Sequence, residues 1–296
     1  MFRGYFAAIV TPWKNDKLDL KAFGRHIDFL LENKINGIVA CGSTGESILL
    51  SPEERQLEIK EAIARVNGQV PVVINIGSPD TRACIRQAQE VEKYGPNAML
   101  ITCPYYVKPS QEGIYNHFKA IHDATHLPIV IYNVPSRTGT DIATDIIKRM
   151  VDNLSRVKAL KEATSNLCRI TELAKAYPLE RFQVLCGNDD IALAAFAMGA
   201  CGAISVTANI APKECVDMYE RFFAGNLASA AATRNKLAHL NQALFVEPNP
   251  VPVKYSLSLM GRMSDEVRGS LAQLSQESKA EVKAAMCEAG LLCKRK

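Results

Sequence analysis

The sequence predicts a (β/α)8 barrel with a C-terminal helical extension. Three observations lead there. Eight apolar, β-branched runs recur along the chain, amphipathic segments with helical spacing lie between them, and the strand-like runs stop after about Phe223. Continuous apolar strands separated by helices imply a parallel sheet buried on both faces. Eight β-α units in about 225 residues fit a closed barrel. An open doubly wound sheet would instead call for a glycine-rich turn after the first strand, and Val10-Thr11-Pro12-Trp13 is not one.

In chain order, strands are expected at Phe6–Pro12, Gly37–Cys41, Pro71–Ile76, Ala98–Cys103, Pro128–Asn133, Val157–Lys161, Gln183–Cys186 and Gly202–Thr207. Helical spacing marks Leu20–Asn33, Pro52–Val66, Thr81–Tyr94 and Gln111–Ala124. Ser51-Pro52-Glu53-Glu54 is a strong helix start, with an N-cap serine, proline at the first helical position and acids in the first turn. Ser110 is expected to cap the segment that begins at Gln111. Beyond the strands, Asn226–Leu244 and Met263–Ala289 read as helices joined by the proline-rich V-E-P-N-P-V-P-V-K. The barrel is therefore expected over residues 1–224, with residues 225–296 as a helical region packed on it.

Composition excludes several classes of partner. The 296 residues are 48% hydrophobic and 22% charged, as in an ordinary globular protein large enough for a sizeable core. A net charge of +4, with no basic block except the terminal Lys294-Arg295-Lys296, argues against nucleic acid and anionic membranes. No apolar run approaches the ~18 residues of a membrane span. The opening M-F-R-G-Y-F-A-A-I-V-T-P lacks a basic leader and a cleavage pattern, and is expected to be the first strand. Nine cysteines, at 41, 84, 103, 168, 186, 201, 215, 287 and 293, are dispersed without a C-x-x-C pair or zinc spacing. Reduced thiols in the cytoplasm are the expectation.

In such barrels the active site lies at the C-terminal ends of the strands. V-K-A-L-K-E-A-T at 157–164 reads as a strand that ends in a charge. A period of two puts Val157, Ala159 and Lys161 on one face. An ammonium among small apolar neighbours is poorly solvated, which disfavours its charged form. A neutral amine attacks a ketone and forms a Schiff base, an electron sink. The alternative is a lysine that marks the strand end and snorkels to water.

The other strand ends carry further candidates. Gly42-Ser43-Thr44-Gly45-Glu46 offers two hydroxyls and a glycine-flanked backbone, a small anion site or else a plain polar turn. No G-K-[ST] follows, so it is not a P-loop. Tyr105 and Tyr106 follow the fourth strand, and Tyr132 lies at the end of the fifth with Arg137 shortly after it. Arg137 presents a fork suited to a carboxylate. Asp189 and Asp190 precede a helical segment and are expected as N-caps rather than metal ligands. The five histidines show no ligand or triad spacing.

The ordered set G-S-T-G-E at 42–46, Y-N-V-P-S-R-T-G at 132–139, L-K-E-A-T at 160–164 and G-N-D at 187–189 resembles the dihydrodipicolinate synthase / N-acetylneuraminate lyase family over nearly the whole chain. The resemblance implies the same barrel with its helical extension, commonly as a homotetramer, and makes Lys161 the Schiff-base lysine for pyruvate. It implies that Ser43 and Thr44 hold the pyruvate carboxylate and that Tyr132 carries protons. A phenol with its reference pKa near 10 is a poor base at neutral pH. The family supplies a relay through Ser43 and a second tyrosine from the neighbouring subunit, which matches Tyr106. Gly187 and Ile204 are implied to line the pyruvate pocket, and no metal or organic cofactor is implied.

Within the family, three features look most like its synthase branch, which condenses pyruvate with L-aspartate 4-semialdehyde on the way to diaminopimelate and lysine. They are Arg137 in S-R-T-G, used there for the aldehyde's carboxylate; Tyr105-Tyr106 ahead of P-S-Q-E-G-I-Y-x-H-F; and F-V-E-P-N-P-V-P-V-K at 245–254. The rivals are an N-acetylneuraminate lyase or 2-keto-3-deoxy-sugar-acid aldolase, and a non-catalytic keto-acid sensor. Two departures stand out. Many synthases have Thr-Thr where this chain has Ser43-Thr44, a pair common in the lyases; serine keeps the hydroxyl. The polar groups that bind feedback lysine in regulated synthases are replaced by Pro52, Arg55, Pro79 and Ala83, which implies weak or absent lysine inhibition.

Overall fold

Eight short strands close into a parallel barrel in the computed structural model of the chain, which describes residues 2–292. They are β1 Gly4–Ala8, β2 Gly37–Ala40, β3 Val72–Asn75, β4 Ala98–Thr102, β5 Ile129–Asn133, β6 Val157–Glu162, β7 Gln183–Cys186 and β8 Gly202–Ser205. Ring order follows chain order. All eight expected strands are present, each with bounds within a few residues of the apolar run that marked it. A hairpin of Trp13–Lys14 and Lys17–Leu18 follows β1.

Helices fill the gaps: α1 Leu20–Glu32, α2 Pro52–Val66, α3 Thr81–Glu92, α4 Gln111–Asp123, the single turn α5 Pro135–Thr138, α6 Thr144–Asn153, α7 Leu167–Ala176 and α8 Ala192–Ala197. Ser51 caps α2 in a reciprocal box, its hydroxyl accepting the Glu54 N–H while the Glu54 carboxylate accepts the Ser51 N–H. Ser110 caps α4 by accepting the Gly113 N–H. Asp189 and Asp190 are not caps. They lie inside a short 3-10 turn, Asp189–Ile191, and Asn188 occupies the capping position.

The C-terminal region departs further from expectation. It holds α9 Pro212–Phe223, α10 Leu227–Ala243, α11 Val251–Leu259 and α12 Gln276–Glu288. Part of the proline-rich connector is itself helical, because Pro252 falls in the first turn of α11, where a missing N–H costs nothing. The helix expected over Met263–Ala289 forms only from Gln276. Upstream, the Arg268 N–H is given to the Glu46 carboxylate rather than to a carbonyl one turn back. The Arg268 guanidinium forks onto Glu54 at 2.7 and 2.8 Å and stacks over the Trp13 ring. These long-range bonds hold residues 263–275 out of a helix.

Contacts divide the chain into two compact units, Met1–Arg3 with Pro71–Ile204, and Gly4–Val70 with Ser205–Lys296. Among the described residues no helix is long and apolar enough to cross a membrane. None of the eight described cysteines is in a disulfide, and Cys41, Cys84, Cys103, Cys186, Cys201 and Cys215 are buried as small hydrophobes. Cys293 and the terminal Lys294-Arg295-Lys296 lie outside the described residues.

Candidate active site

Lys161 and Tyr132 meet in the first unit. The parallel ladder sets Tyr132 of β5 against Lys161 of β6, so the two side chains leave neighbouring strands at one height. The Lys161 ammonium lies 4.3 Å from the centroid of the Tyr132 ring, within cation–π range. Lys161 is 6% exposed, and Tyr132 is equally enclosed. With so little of it reaching solvent, Lys161 does not snorkel to water. The simple alternation expected for Val157, Ala159 and Lys161 is interrupted, however. Val157 pairs with Ile129 and Ala159 with Val130, so the ladder steps over Lys158.

The residues that follow this pair anchor a polar network that runs from the interior out to the exposed Asp141. Asn133 comes after Tyr132, and Glu162 after Lys161. Asn133 Nδ2 donates to Asp141 Oδ1 at 2.7 Å and lies 3.2 Å from each Glu162 oxygen. Arg169, on the buried face of α7, donates to Glu162 Oε2 at 3.0 Å and to both Asp141 oxygens at 2.9 and 2.7 Å. The Thr164 N–H donates to Glu162 Oε1, and the Ile142 N–H to Asn133 Oδ1. Hydrogen bonding from Arg169 holds the Asp141 carboxyl below the usual carboxylate range. The same two acids hold the guanidinium more firmly protonated. The buried charges of this network, Glu162 and Arg169, are paired with each other, as buried charge requires.

The remaining candidates of the first unit are spread over other strand ends. Gly187, after β7, donates its N–H to the Glu162 carbonyl at 2.7 Å. A Cβ there would stand 2.7 Å from that of Ala163, so the close approach requires glycine. Ile204 is buried on β8. Arg137 sits exposed in α5, whose chain exit needs Gly139 at φ 70°. Tyr106 is not brought onto Lys161. It is 92% exposed, at φ 70°, at the apex of a γ-turn closed by the Val107 N–H on the Tyr105 carbonyl.

Ser43 and Thr44 belong to the second unit, in the turn after β2. Cys41 and Glu46, on either side of Gly42–Gly45, both take left-handed backbone at φ 54° and 51°. Such conformations cost non-glycine residues about 1–3 kcal/mol each and persist only where the surroundings enforce them. The C-terminal region supplies part of that enforcement. Lys254 Nζ donates to Glu46 Oε1 at 2.6 Å, and both side chains are fully buried. The Arg268 N–H takes Glu46 Oε2 at 3.1 Å. Asn249 Nδ2 donates to Thr44 Oγ1 at 3.0 Å, which leaves the Thr44 proton free to be donated elsewhere. Burial lowers the Lys254 pKa against the pull of Glu46.

Reading the sequence for strand ends missed the partners behind them. Asn133, Glu162 and Glu46 stand inside the quoted motifs, but nothing local assigned them a role. Asn249 and Lys254 likewise stand inside the quoted F-V-E-P-N-P-V-P-V-K without a role assigned, and Arg169 carried only a weak signal, a charge on the apolar stripe of α7.

Comparison with known proteins gives a concordant result. Residues 1–289 match the model of the dihydrodipicolinate synthetase family. The chain is 41% identical over 291 residues to the 4-hydroxy-tetrahydrodipicolinate synthase of Nitratidesulfovibrio vulgaris (strain DP4), covering 98% of this chain and 99% of the relative. The solved dihydrodipicolinate synthase of Thermotoga maritima superposes with a TM-score of 0.96 at 39% identity, covering 99% of this chain and 100% of that one. The chloride-inhibited dihydrodipicolinate synthase of Acinetobacter baumannii, solved in complex with pyruvate, gives 0.95 at 37% identity, with coverage of 99% and 100%. With a family model matched from end to end of the described fold, the chain belongs to the dihydrodipicolinate synthetase family.

Proposed function

We propose that the chain condenses pyruvate with L-aspartate 4-semialdehyde through a Schiff base on Lys161, giving 4-hydroxy-tetrahydrodipicolinate for diaminopimelate and lysine biosynthesis in the cytoplasm. The observation that carries this reading is the buried Lys161 ammonium against the face of Tyr132. Lysine here is enclosed, held at a strand end, and next to a phenol.

The Lys161 amine adds to the pyruvate ketone, and loss of water gives the imine. Loss of a methyl proton gives the enamine, whose carbon attacks the aldehyde and forms the new carbon–carbon bond. The semialdehyde's amine then attacks the imine carbon, closes the ring and releases Lys161. Tyr132 carries the protons in these steps as general acid and base. Ser43 and Tyr106 complete its relay, with Tyr106 supplied by the adjacent subunit of a homotetramer. Exposure of the Tyr106 ring in the single chain supports that assignment. Ser43 and Thr44 hold the pyruvate carboxylate, and a Thr44 hydroxyl that already accepts from Asn249 is poised to donate. Gly187 and Ile204 border the pyruvate, and Arg137 pairs with the carboxylate of the incoming aldehyde.

The acceptor decides between this reading and its relatives. Purified enzyme with pyruvate is expected to consume aspartate 4-semialdehyde and to leave N-acetylmannosamine and glyceraldehyde untouched. Turnover with a sugar aldehyde and none with the semialdehyde would reassign the chain to the lyases or aldolases.

A further inference from the structure

Helix α2 buries an acid. Its buried stripe is Glu58, Ile59, Ala62 and Val66, and Glu58 has no exposed surface. An ionised carboxylate in such a place needs a paired cation to offset its lost hydration. The groups that bond it are neutral. Glu58 Oε1 accepts the Cys41 N–H at 3.1 Å and lies 3.5 Å from Cys41 Sγ. Glu58 Oε2 lies 2.7 Å from Thr11 Oγ1.

Thr11 settles where the proton is. Its hydroxyl oxygen is also 2.6 Å from the Gly45 carbonyl oxygen. A hydroxyl has one proton to donate, and a carbonyl can only accept. The Gly45 contact therefore claims the Thr11 proton. What Thr11 turns to Glu58 is a lone pair, so a carboxylate at 2.7 Å would leave two acceptors facing each other. A proton on Glu58 Oε2 removes the conflict and turns that contact into a hydrogen bond donated to Thr11.

We infer that Glu58 is held as a neutral carboxylic acid and is a positioning residue for the turn that carries Ser43 and Thr44. Glu58 Oε2–H donates to Thr11, Thr11 donates to the Gly45 carbonyl, and Glu58 Oε1 receives the Cys41 N–H. Cys41 and Gly45 bracket Ser43 and Thr44, so one carboxyl group holds both ends of the turn. The left-handed backbone at Cys41 needs such a hold. Ionisation would reverse the Thr11 hydroxyl and release Gly45. Burial pushes the Glu58 carboxyl up, outweighing its contacts with Thr11 and Cys41 and the charge of Arg55 on the same helix. The Cys41 thiol, raised well above its ordinary range by burial, stays neutral beside it. What the turn grips, the pyruvate carboxylate, rests on the proposed function; the proton assignment does not.

Two substitutions in the full-length protein test this. Glu58→Gln preserves the pattern, with Nε2 donating to Thr11 and Oε1 accepting from Cys41. Glu58→Leu fills the space and makes neither bond. Glu58→Gln is expected to keep the pyruvate KM within about twofold of the parent, while Glu58→Leu raises it on the order of tenfold with a smaller change in kcat. Should Glu58→Leu fail to fold, Thr11→Val breaks the same chain from its middle and is expected to raise KM alike. Infrared difference spectra of parent against Glu58→Gln at neutral pH are expected to contain a protonated-carboxyl stretch. A carboxylate band in its place, Glu58→Gln as impaired as Glu58→Leu, or no change in KM in any variant overturns the inference. A parent inactive on pyruvate would sink the functional reading, and the infrared spectrum would still report the proton.

Discussion

Asn133 and Glu162, each directly after a proposed catalytic residue, lie with the asparagine amide nitrogen 3.2 Å from both carboxylate oxygens. That contact ties the end of β5 to the end of β6, one residue beyond Tyr132 and Lys161. The pair is closed from behind by Arg169, itself bonded to Asp141. The phenol and amine are thus held in place by a rigid, satisfied polar cluster as well as by the ladder.

Removing Arg169 should therefore cost more than a surface charge. Arg169→Met leaves Glu162 buried without its cation, and breaking such a pair typically costs about 3–5 kcal/mol. Urea denaturation of the variant is expected to show a loss of that order, with Arg169→Lys intermediate because lysine cannot fork. A loss below about 1 kcal/mol, the size of an exposed pair, would contradict the role given to this network.

The Lys254–Glu46 pair is expected to behave as a unit, because both side chains are fully buried. Lys254→Met and Glu46→Gln singly each strand a buried polar partner and should destabilise by several kcal/mol. The double variant should recover part of that loss, giving a coupling energy above about 1 kcal/mol in a double-mutant cycle. Strict additivity would mean that the pair does not hold the turn.

Acid should weaken the fold through His26. Its Nε2 lies 3.1 Å from Asn209 Oδ1, and burial lowers its pKa from 6.5 to about 4. Above pH 6.5 the ring is neutral folded or unfolded, and the stabilising difference is fully present. Between 6.5 and about 4 the unfolded chain binds a proton that the folded chain refuses, so stability falls with pH across that window. The contribution at stake is about 3 kcal/mol. His26→Gln should flatten the pH dependence of unfolding over this range; an unchanged slope would show that the ring does not titrate as described.

Feedback by lysine should be weak or absent. Pro52 and Arg55 lie in the first turn of α2, and Pro79 and Ala83 flank the start of α3. None of the four supplies a side-chain carboxylate or amide oxygen to accept from the lysine ammonium. Inhibition of turnover by submillimolar lysine would refute this expectation.

The barrel was legible because parallel strands covered on both faces keep an unbroken apolar signature. Lys161 was legible as a charge closing such a run. The supporting cast was not, because its members meet only in space. Arg169 and Asp141 are 28 residues apart, and Lys254 and Glu46 are 208 apart. The start of α12 was misplaced for the same reason, since the Arg268 N–H that interrupts the helical pattern is taken by an acid 222 residues away. Glu58 offered a visible clue, an acid on the stripe of Ile59, Ala62 and Val66, but nothing local distinguishes it from the other glutamates of that helix.

The central claim is that Lys161 forms the imine with pyruvate. Borohydride reduction in the presence of pyruvate, followed by peptide mass spectrometry, tests it most directly. A single adduct of pyruvate mass on Lys161 is expected, and it should vanish when aspartate 4-semialdehyde is supplied. An adduct on another lysine, or none on Lys161, would contradict the account.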